Sequence, residues 1–140
     1  MKPLHRFIFL MAFLPFHGCI PEFILDEVDC SECYVPRPDE AELIIQVSTD
    51  RRNPRIPIVV YNGLLENRDT VAVDTLSRDE GYVMVPVDRY YTVSAEYLTE
   101  SGTVYAIDGD ELKAIKVTGQ CDEVCWVIRG GILKVKLKYD

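Results

Sequence analysis

The stretch YYTVSAEYL, residues 90–98, alternates in side-chain character from Tyr91 to Tyr97. Its inner apolar residues stand at odd positions: Tyr91, Val93, Ala95 and Tyr97. The residues between them are polar: Thr92, Ser94 and Glu96. Because successive side chains of an extended chain point to opposite faces, this period of two residues predicts a β-strand with one buried face and one exposed face.

Runs of the same kind recur along the chain from Glu42 onward, and no window keeps a helical repeat. They are LIIQVST (43–49), IPIVVYN (56–62), TVAVDTL (70–76), YVMVPV (82–87), TVYAID (103–108), LKAIKVT (112–118), EVCWVI (123–128) and ILKVKLKY (132–139). Turn signals separate them: Arg52-Asn53-Pro54, Asn62-Gly63, Asp79-Glu80-Gly81, Ser101-Gly102, Asp108-Gly109 and Gly130-Gly131. We therefore predict an all-β domain over residues 42–140, folded as a single small antiparallel β-sandwich.

The N-terminus has the form of a signal peptide, residues 1–18. Lys2 and Arg6 precede an apolar run from Phe7 to Phe16 that contains no acid. A membrane-spanning helix needs about 20 apolar residues, so this run is too short for a permanent anchor. We expect it to be removed.

The Gly18-Cys19 junction resembles the lipobox of bacterial lipoproteins, whose cysteine becomes the first mature residue and carries acyl chains such as palmitate. This resemblance implies lipidation of Cys19 and a mature protein held on a membrane. The residue after this cysteine is Ile20 and not an aspartate, and in the lipoprotein resemblance this points to the outer membrane. Residues 19–41 are rich in acids and prolines and are predicted to form an acidic tether. The alternative is an unmodified secreted chain.

Charge and histidine content limit the chemistry of the mature chain. Removal of residues 1–18 leaves 13 basic and 23 acidic residues, a formal charge of −10, which opposes nucleic-acid binding. His5 and His17 both lie in the signal peptide. The mature chain therefore lacks the residue needed for Ser-His-Asp or Cys-His catalysis and for histidine-containing zinc sites.

Acid pairs are the remaining candidates for catalysis, and each lies where a turn is expected: Asp108, Asp110 and Glu111; Asp79 and Glu80; Asp122 and Glu123. The acids at 108–111 do not continue into the twelve-residue pattern of an EF-hand calcium loop. A tight turn at Asp108-Gly109 is the favoured interpretation. We predict that the protein is not an enzyme and uses no cofactor.

Four cysteines remain once Cys19 is set aside: Cys30, Cys33, Cys121 and Cys125. An even number of cysteines in an exported chain predicts disulfides. The pairing is open. We favour the two local bonds, although bonds from the tether to the domain are the alternative. A zinc site made of the four thiolates is disfavoured because acids beside thiolates raise the thiol pKa.

Two surface features have both a functional and a structural interpretation. Five tyrosines in neighbouring strands are a candidate platform for glycan or peptide: Tyr82, Tyr90, Tyr91, Tyr97 and Tyr105. Tyrosine is also favoured in strands for packing alone. Lys134, Lys136 and Lys138 form a positive stripe on the last run that could bind an acidic partner, but charged residues there more often prevent edge pairing.

A lipobox, a short acidic tether and one small sandwich together resemble surface lipoproteins of Gram-negative bacteria with transthyretin-like or immunoglobulin-like domains. The stretches PIVVYNGLLENRDTVAVDT (57–75) and YVMVPVDRYYTVSAEY (82–97) are similar to the strand-turn-strand signature of such domains. A narrower similarity links Cys19, Ile20, Glu22 and Cys30 to fimbrial anchor lipoproteins, which usually have two domains. These resemblances imply adhesion, assembly or scaffolding and carry over no catalytic residues.

The functional prediction is thus a non-catalytic envelope lipoprotein, located at the outer membrane and anchored by acylated Cys19. It is expected to act as a binding or scaffolding module, an accessory subunit of an outer-membrane or surface assembly. Its expected partners are the membrane, through the lipid, and a protein or glycan of the envelope. A four-cysteine zinc-binding module and a fimbrial anchor component are the alternatives.

Overall fold

The computed structural model describes residues 28–138, which form eight strands and two short 3₁₀ turns. The strands are β1 (Glu40–Gln46), β2 (Ile56–Asn62), β3 (Thr70–Leu76), β4 (Glu80–Pro86), β5 (Arg89–Thr99), β6 (Gly102–Val117), β7 (Cys125–Arg129) and β8 (Ile132–Lys134). The 3₁₀ turns are Cys30–Glu32 and Leu65–Asn67. None of the helical segments among these residues has the length and apolarity to cross a bilayer.

Two sheets make up the domain, with strand orders β4-β1-β8 and β3-β2-β5-β6-β7. Neighbouring strands run antiparallel except for β1 and β8, which run parallel with Ile44 opposite Ile132. The prediction of a small all-β sandwich is confirmed. The parallel β8 is a departure from the antiparallel pattern expected of the last run.

The alternating apolar residues of β5 form part of the hydrophobic core. Tyr91, Val93, Ala95 and Tyr97 are fully buried, as the period of two residues predicts. The predicted exposure of the opposite face is wrong for Thr92 and Ser94, which are buried as well. From the smaller sheet and the chain after it, four residues with no exposure complete the core: Leu43, Ile45, Leu133 and Val135. Burial of one such side chain contributes about 1.5–3 kcal/mol, which makes this apolar layer the main stabilising feature of the fold.

The tight turn predicted at Asp108-Gly109 is wrong, because β6 passes through it as one continuous strand. Asp108 pairs with Val93 and Gly109 with Thr92 across the β5–β6 ladder. The absent side chain of Gly109 leaves room for Tyr90, since a Cβ there would overlap the Tyr90 hydroxyl. The turn propensity of Asp-Gly is outweighed by this cross-strand packing and by partners of the two aspartates described below.

Gly130 and Gly131 carry the chain from the larger sheet to the smaller one. Both have positive φ, 75° and 76°, a conformation that L-residues with a Cβ adopt at a cost. A Cβ on Gly130 would also overlap the carbonyl oxygen of Glu111 in β6. The chain can therefore cross close to β6 and place β8 beside β1.

The segment predicted as a tether, residues 19–41, is described from Val28 onward, and this part lies against the domain. The Val87 amide donates to the carbonyl of Asp39 over 3.0 Å, and β1 already begins at Glu40. Cys19 and the signal peptide lie outside the described residues. Their predicted processing therefore stays a prediction.

Candidate binding site

Two disulfides fasten the N-terminal segment to the end of the larger sheet. Cys30 is bonded to Cys121, and Cys33 is bonded to Cys125. The favoured local pairing is therefore wrong, and the tether-to-domain alternative is what forms. Cys125 lies in β7, whereas Cys121 lies in the preceding loop.

A short 3₁₀ turn sets the spacing of the first two cysteines. Asp29 caps it, accepting from the Ser31 amide over 2.9 Å and from the Ser31 hydroxyl over 2.7 Å. These hydrogen bonds lower the pKa of the Asp29 carboxyl, the hydroxyl contributing most. The turn presents Cys30 and Cys33 to two successive points on the sheet.

Apolar packing and backbone pairing reinforce the covalent attachment. Val28 and Cys33 pack against a small cluster formed by Val117, Cys125 and Val127 on β6 and β7. One residue later the segment pairs with β7 as a strand would. The Tyr34 amide donates to the Trp126 carbonyl over 2.8 Å, and the Trp126 amide donates back over 3.0 Å.

Arg37 also holds the N-terminal segment against the domain. Its guanidinium lies 5.2 Å from the centre of the Trp126 ring, within cation–π range, and it forms an ion pair with Asp88. The pKa of the Asp88 carboxyl is lowered, first by the hydrogen bond donated by the Ala114 amide and then by Arg37. We refer to residues 28–37 with their two disulfides as the N-terminal clamp.

The sulfur atoms of the clamp are close enough to raise the question of a metal. Those of Cys33, Cys121 and Cys125 all lie within 4.8 Å of one another. All four cysteines are disulfide-bonded, however, and zinc binds the thiolate form of cysteine. In the oxidised state this cluster is a covalent staple.

Asp108 and Asp110 join β6 to the chain that crosses to β8. Asp110 accepts from the Glu111 amide and from the Gly131 amide, each over 2.8 Å, using one oxygen for each. Asp108 does the same with the amides of Gly109 at 2.9 Å and Lys134 at 2.7 Å. Two carboxylates thus satisfy backbone donors on both sides of the gap between the sheets, and we call them the carboxylate staples.

Beyond the staples, one edge of β6 is open. Leu112 accepts from the Asp88 amide and the Ala114 amide donates to Asp88, so even-numbered backbone groups of β6 point towards β5. Odd-numbered groups point the other way, where β7 pairs only with residues 113–117. In the part of the chain that the structure describes, no strand pairs with this edge at Thr103, Tyr105 or Ile107.

A groove of about 640 Å³ lies along this open edge. One wall is β6 from Val104 to Asp108, and the other is the end of β8 together with the chain after it. The residues lining that second wall are Lys134, Lys136, Leu137 and Lys138. The partly buried side chains of Val104, Ala106 and Leu137 pack against the core and give the groove an apolar floor.

The five candidate tyrosines do not form one exposed surface. Tyr91 and Tyr97 are fully buried, and their hydroxyls donate to the carbonyls of Pro86 and Val135 over 2.7 and 2.6 Å. Burial raises the pKa of both phenols. Tyr82 is exposed on the smaller sheet, whereas Tyr90 and Tyr105 are exposed on the larger one. Of the five, only Tyr105 lines the groove.

The other acid pairs lie apart from the groove. Asp79 accepts from the Thr49 hydroxyl and amide, which lower its carboxyl pKa, and Glu80 accepts from Tyr82 and Gln46, which do likewise. Asp122 and Glu123 stand in the exposed loop between the two sheet cysteines. Both residues border an open depression of about 230 Å³ beside the two disulfides. The carboxylates of Asp79, Glu80, Asp108 and Asp110, in contrast, are all engaged by hydrogen bonds.

Comparison with known proteins adds no relative. No protein-family model matches the chain, and neither a curated protein nor a solved structure is found to be similar to it.

Proposed function

We propose that the chain is a non-catalytic, lipid-anchored binding or scaffolding module of the bacterial outer membrane, held by acylated Cys19. The observation that carries this proposal is the N-terminal clamp. Two bonds spanning 91 and 92 residues attach the first described turn of the chain to the far end of the sandwich. Disulfides of this kind form in oxidising compartments, which supports export.

The position of the clamp suits a domain that is held by its N-terminus. Val28 follows Cys19 by nine positions, a distance of at most about 30 Å when the chain is extended. A pulling force on the lipid would be transmitted through the clamp to β6 and β7. It would not act on the end of a strand that is held by hydrogen bonds alone. A binding surface on the sandwich would therefore keep a limited distance from the membrane.

The absence of histidine after residue 18 and the hydrogen bonds made by Asp79, Glu80, Asp108 and Asp110 support a non-catalytic role. These carboxylates act as acceptors for hydroxyls, amides and backbone N–H groups. The partner proposed for the domain is a protein or glycan of the envelope.

Labelling with a palmitate analogue tests the anchor directly. We expect the intact protein to be labelled, to enter the detergent phase on phase separation and to sediment with outer membranes on a density gradient. Cys19→Ser should abolish labelling and move the protein to the aqueous phase. The matched variant Cys30→Ser should leave labelling unchanged. An unlabelled wild-type protein in the aqueous phase would contradict the anchor.

A zinc-binding module is the second candidate, and the closeness of three cysteine sulfurs supports it. It requires reduction of both disulfides by a dithiol, since only thiolates would bind the ion. Stoichiometric zinc in protein isolated without reductant would favour this candidate. Zinc far below one equivalent, with no free thiols, would exclude it for the exported protein.

A further inference from the structure

We propose that the groove between the open edge of β6 and the chain after β8 binds an extended acidic peptide segment of a partner protein, which pairs with β6 as an added strand. The inference specifies the binding role proposed above. It rests on the groove and not on the lipid, so failure of the palmitate experiment would leave it standing.

The backbone of β6 supplies the hydrogen-bonding half of the site. The N–H and C=O groups of Thr103, Tyr105 and Ile107 face away from β5, towards the groove. Five residues of extended chain cover about 17 Å, which is enough for a partner segment of similar length. Main-chain hydrogen bonds of this kind give affinity to an added strand whatever its sequence.

The floor of the groove supplies the apolar half. Val104, Ala106 and Leu137 belong to the layer between the sheets but stay only partly buried, since no strand closes the sandwich at this point among residues 28–138. Ile107 and Tyr105 are exposed beside them, with 52% and 62% of their surface accessible. Alternate side chains of an added strand would cover these apolar surfaces.

The charge of the second wall selects the partner. Lys134, Lys136 and Lys138 lie along it, in a chain whose formal net charge is −8. The carboxylate of Asp108, at the end of the groove, is engaged by backbone amides and is the one acid among the lining residues that the structure describes. Glu96 accepts from the Tyr105 hydroxyl over 3.2 Å on the neighbouring strand. A segment carrying Glu or Asp between apolar residues complements this wall.

Lysines at an edge can also serve only to prevent pairing. In that case the groove would reject extended peptides of either charge. The two interpretations therefore predict different results with the same probe.

The experiment uses the purified full chain in detergent, with both disulfides intact, and a fluorescein-labelled nine-residue peptide of alternating glutamate and valine. We expect saturable binding by fluorescence anisotropy. A peptide of alternating lysine and valine should bind at least about tenfold more weakly, since three favourable charge pairs become repulsive. Equal binding of the two peptides, or no binding of the acidic one, would overturn the proposal.

Methylation of the backbone nitrogens tests strand pairing separately from charge. The methylated acidic peptide keeps every side chain and every charge but loses its N–H donors and clashes with a neighbouring strand. We expect its binding to fall at least about tenfold. Undiminished binding of the methylated peptide would contradict pairing with β6.

Charge reversal locates the site on the protein. The variant that combines Lys134→Glu, Lys136→Glu and Lys138→Glu should lose at least about tenfold in affinity for the acidic peptide. Its matched control reverses three cations at the other end of the sheet: Lys113→Glu, Lys116→Glu and Arg129→Glu. Unfolding in urea checks that both variants are folded. An equal loss of affinity in both folded variants would place the peptide elsewhere and overturn the proposal.

Discussion

The two halves of β6 belong to one continuous strand but differ at their outer edge, which is covered in one half and open in the other. In the closed half, residues 108–117, the edge is covered by β7, by the carboxylate staples and, beyond β7, by the N-terminal clamp. In the open half, residues 102–107, it faces a groove with three lysines. Backbone pairing of β6 with β5 runs without a break from Gly102 to Leu112, across the boundary between the two halves. The difference therefore comes from what the flanking chain supplies and not from the strand itself.

Closure of an edge requires specific residues, and the closed half shows which ones. It uses two disulfides, two aspartates and two glycines that allow the chain to cross close by. Among the residues that the structure describes, no disulfide, aspartate or crossing glycine pair covers the open half. Exposed strand edges promote aggregation, and proteins commonly cover them. An open edge beside an apolar floor is therefore the surface at which we expect a binding partner.

Removal of both disulfides should have the largest effect on the closed half. In the chain-entropy model, a bond closing about 90 residues contributes roughly 4.6 kcal/mol, whereas a second bond beside it closes only about eight further residues and adds roughly 2.5 kcal/mol. Loss of either bond alone should then cost about 2.5 kcal/mol and loss of both about 7 kcal/mol.

Urea denaturation of three serine variants measures this non-additivity: Cys30→Ser with Cys121→Ser, Cys33→Ser with Cys125→Ser, and all four together. The fourfold variant should be largely unfolded without urea, while each double variant stays folded. Strictly additive costs would show that the clamp does not act as one unit.

Substitution of Gly130 should have the next largest effect. Gly130→Ala combines a positive φ of 75° with overlap of the Glu111 carbonyl, and we expect a cost of about 2–5 kcal/mol. Gly119→Ala is the matched control. Its φ is 76°, but nothing lies within 4 Å of the added Cβ, so about 1–2 kcal/mol is expected. Equal urea midpoints for the two variants would mean that the crossing is not tightly seated on β6.

Loss of a carboxylate staple should cost less. Asp110→Ala leaves the amides of Glu111 and Gly131 without their acceptor, and we expect a loss of about 1–3 kcal/mol in the free energy of unfolding. Asp122→Ala, in an exposed loop, should change it by less than about 0.5 kcal/mol. A neutral Asp110→Ala would mean that water replaces the staple without loss.

Asp88 should give the smallest effect, seen as a dependence on pH. Its folded pKa lies below the ordinary value of 3.8, so its contribution to stability is present above that pH and is lost as the pH falls through the folded pKa. The urea midpoint should therefore drop between about pH 5 and pH 2, and drop less in Asp88→Asn. The same drop in Asp88→Asn would assign the acid sensitivity to other carboxylates, such as Asp29 or Asp79.

The alternation of apolar and polar residues predicted most of the strands, because strands such as β1 and β2 bury every second residue. Tyr91, Val93, Ala95 and Tyr97 were all predicted correctly as one face of a strand. In β6 the same pattern fails. Asp108 and Asp110 stand at inward positions in line with Val104, Ala106 and Leu112, so the apolar alternation is interrupted and the Asp-Gly pair favours a turn.

What the sequence did not reveal depends on distant partners. The aspartates of β6 are satisfied by amides more than 20 residues away, and the cysteines pair over more than 90 residues, which no local spacing encodes. The tyrosines follow the same alternation as their neighbours. The period of two could therefore assign Tyr91 and Tyr97 to the core only once the buried face of β5 was known. The groove requires the relative position of both sheets.

Amide hydrogen exchange along β6, measured residue by residue by NMR, tests the contrast between its two halves most directly. The amides of Thr103, Tyr105 and Ile107 should exchange rapidly, those of Gly109 and Glu111 more slowly, and those of Lys113, Ile115 and Val117 slowest of all. The acidic peptide should then protect the first three and leave the others unchanged. Equal protection of both halves in the free protein would show that the outer edge of β6 is already covered, and would contradict the open groove.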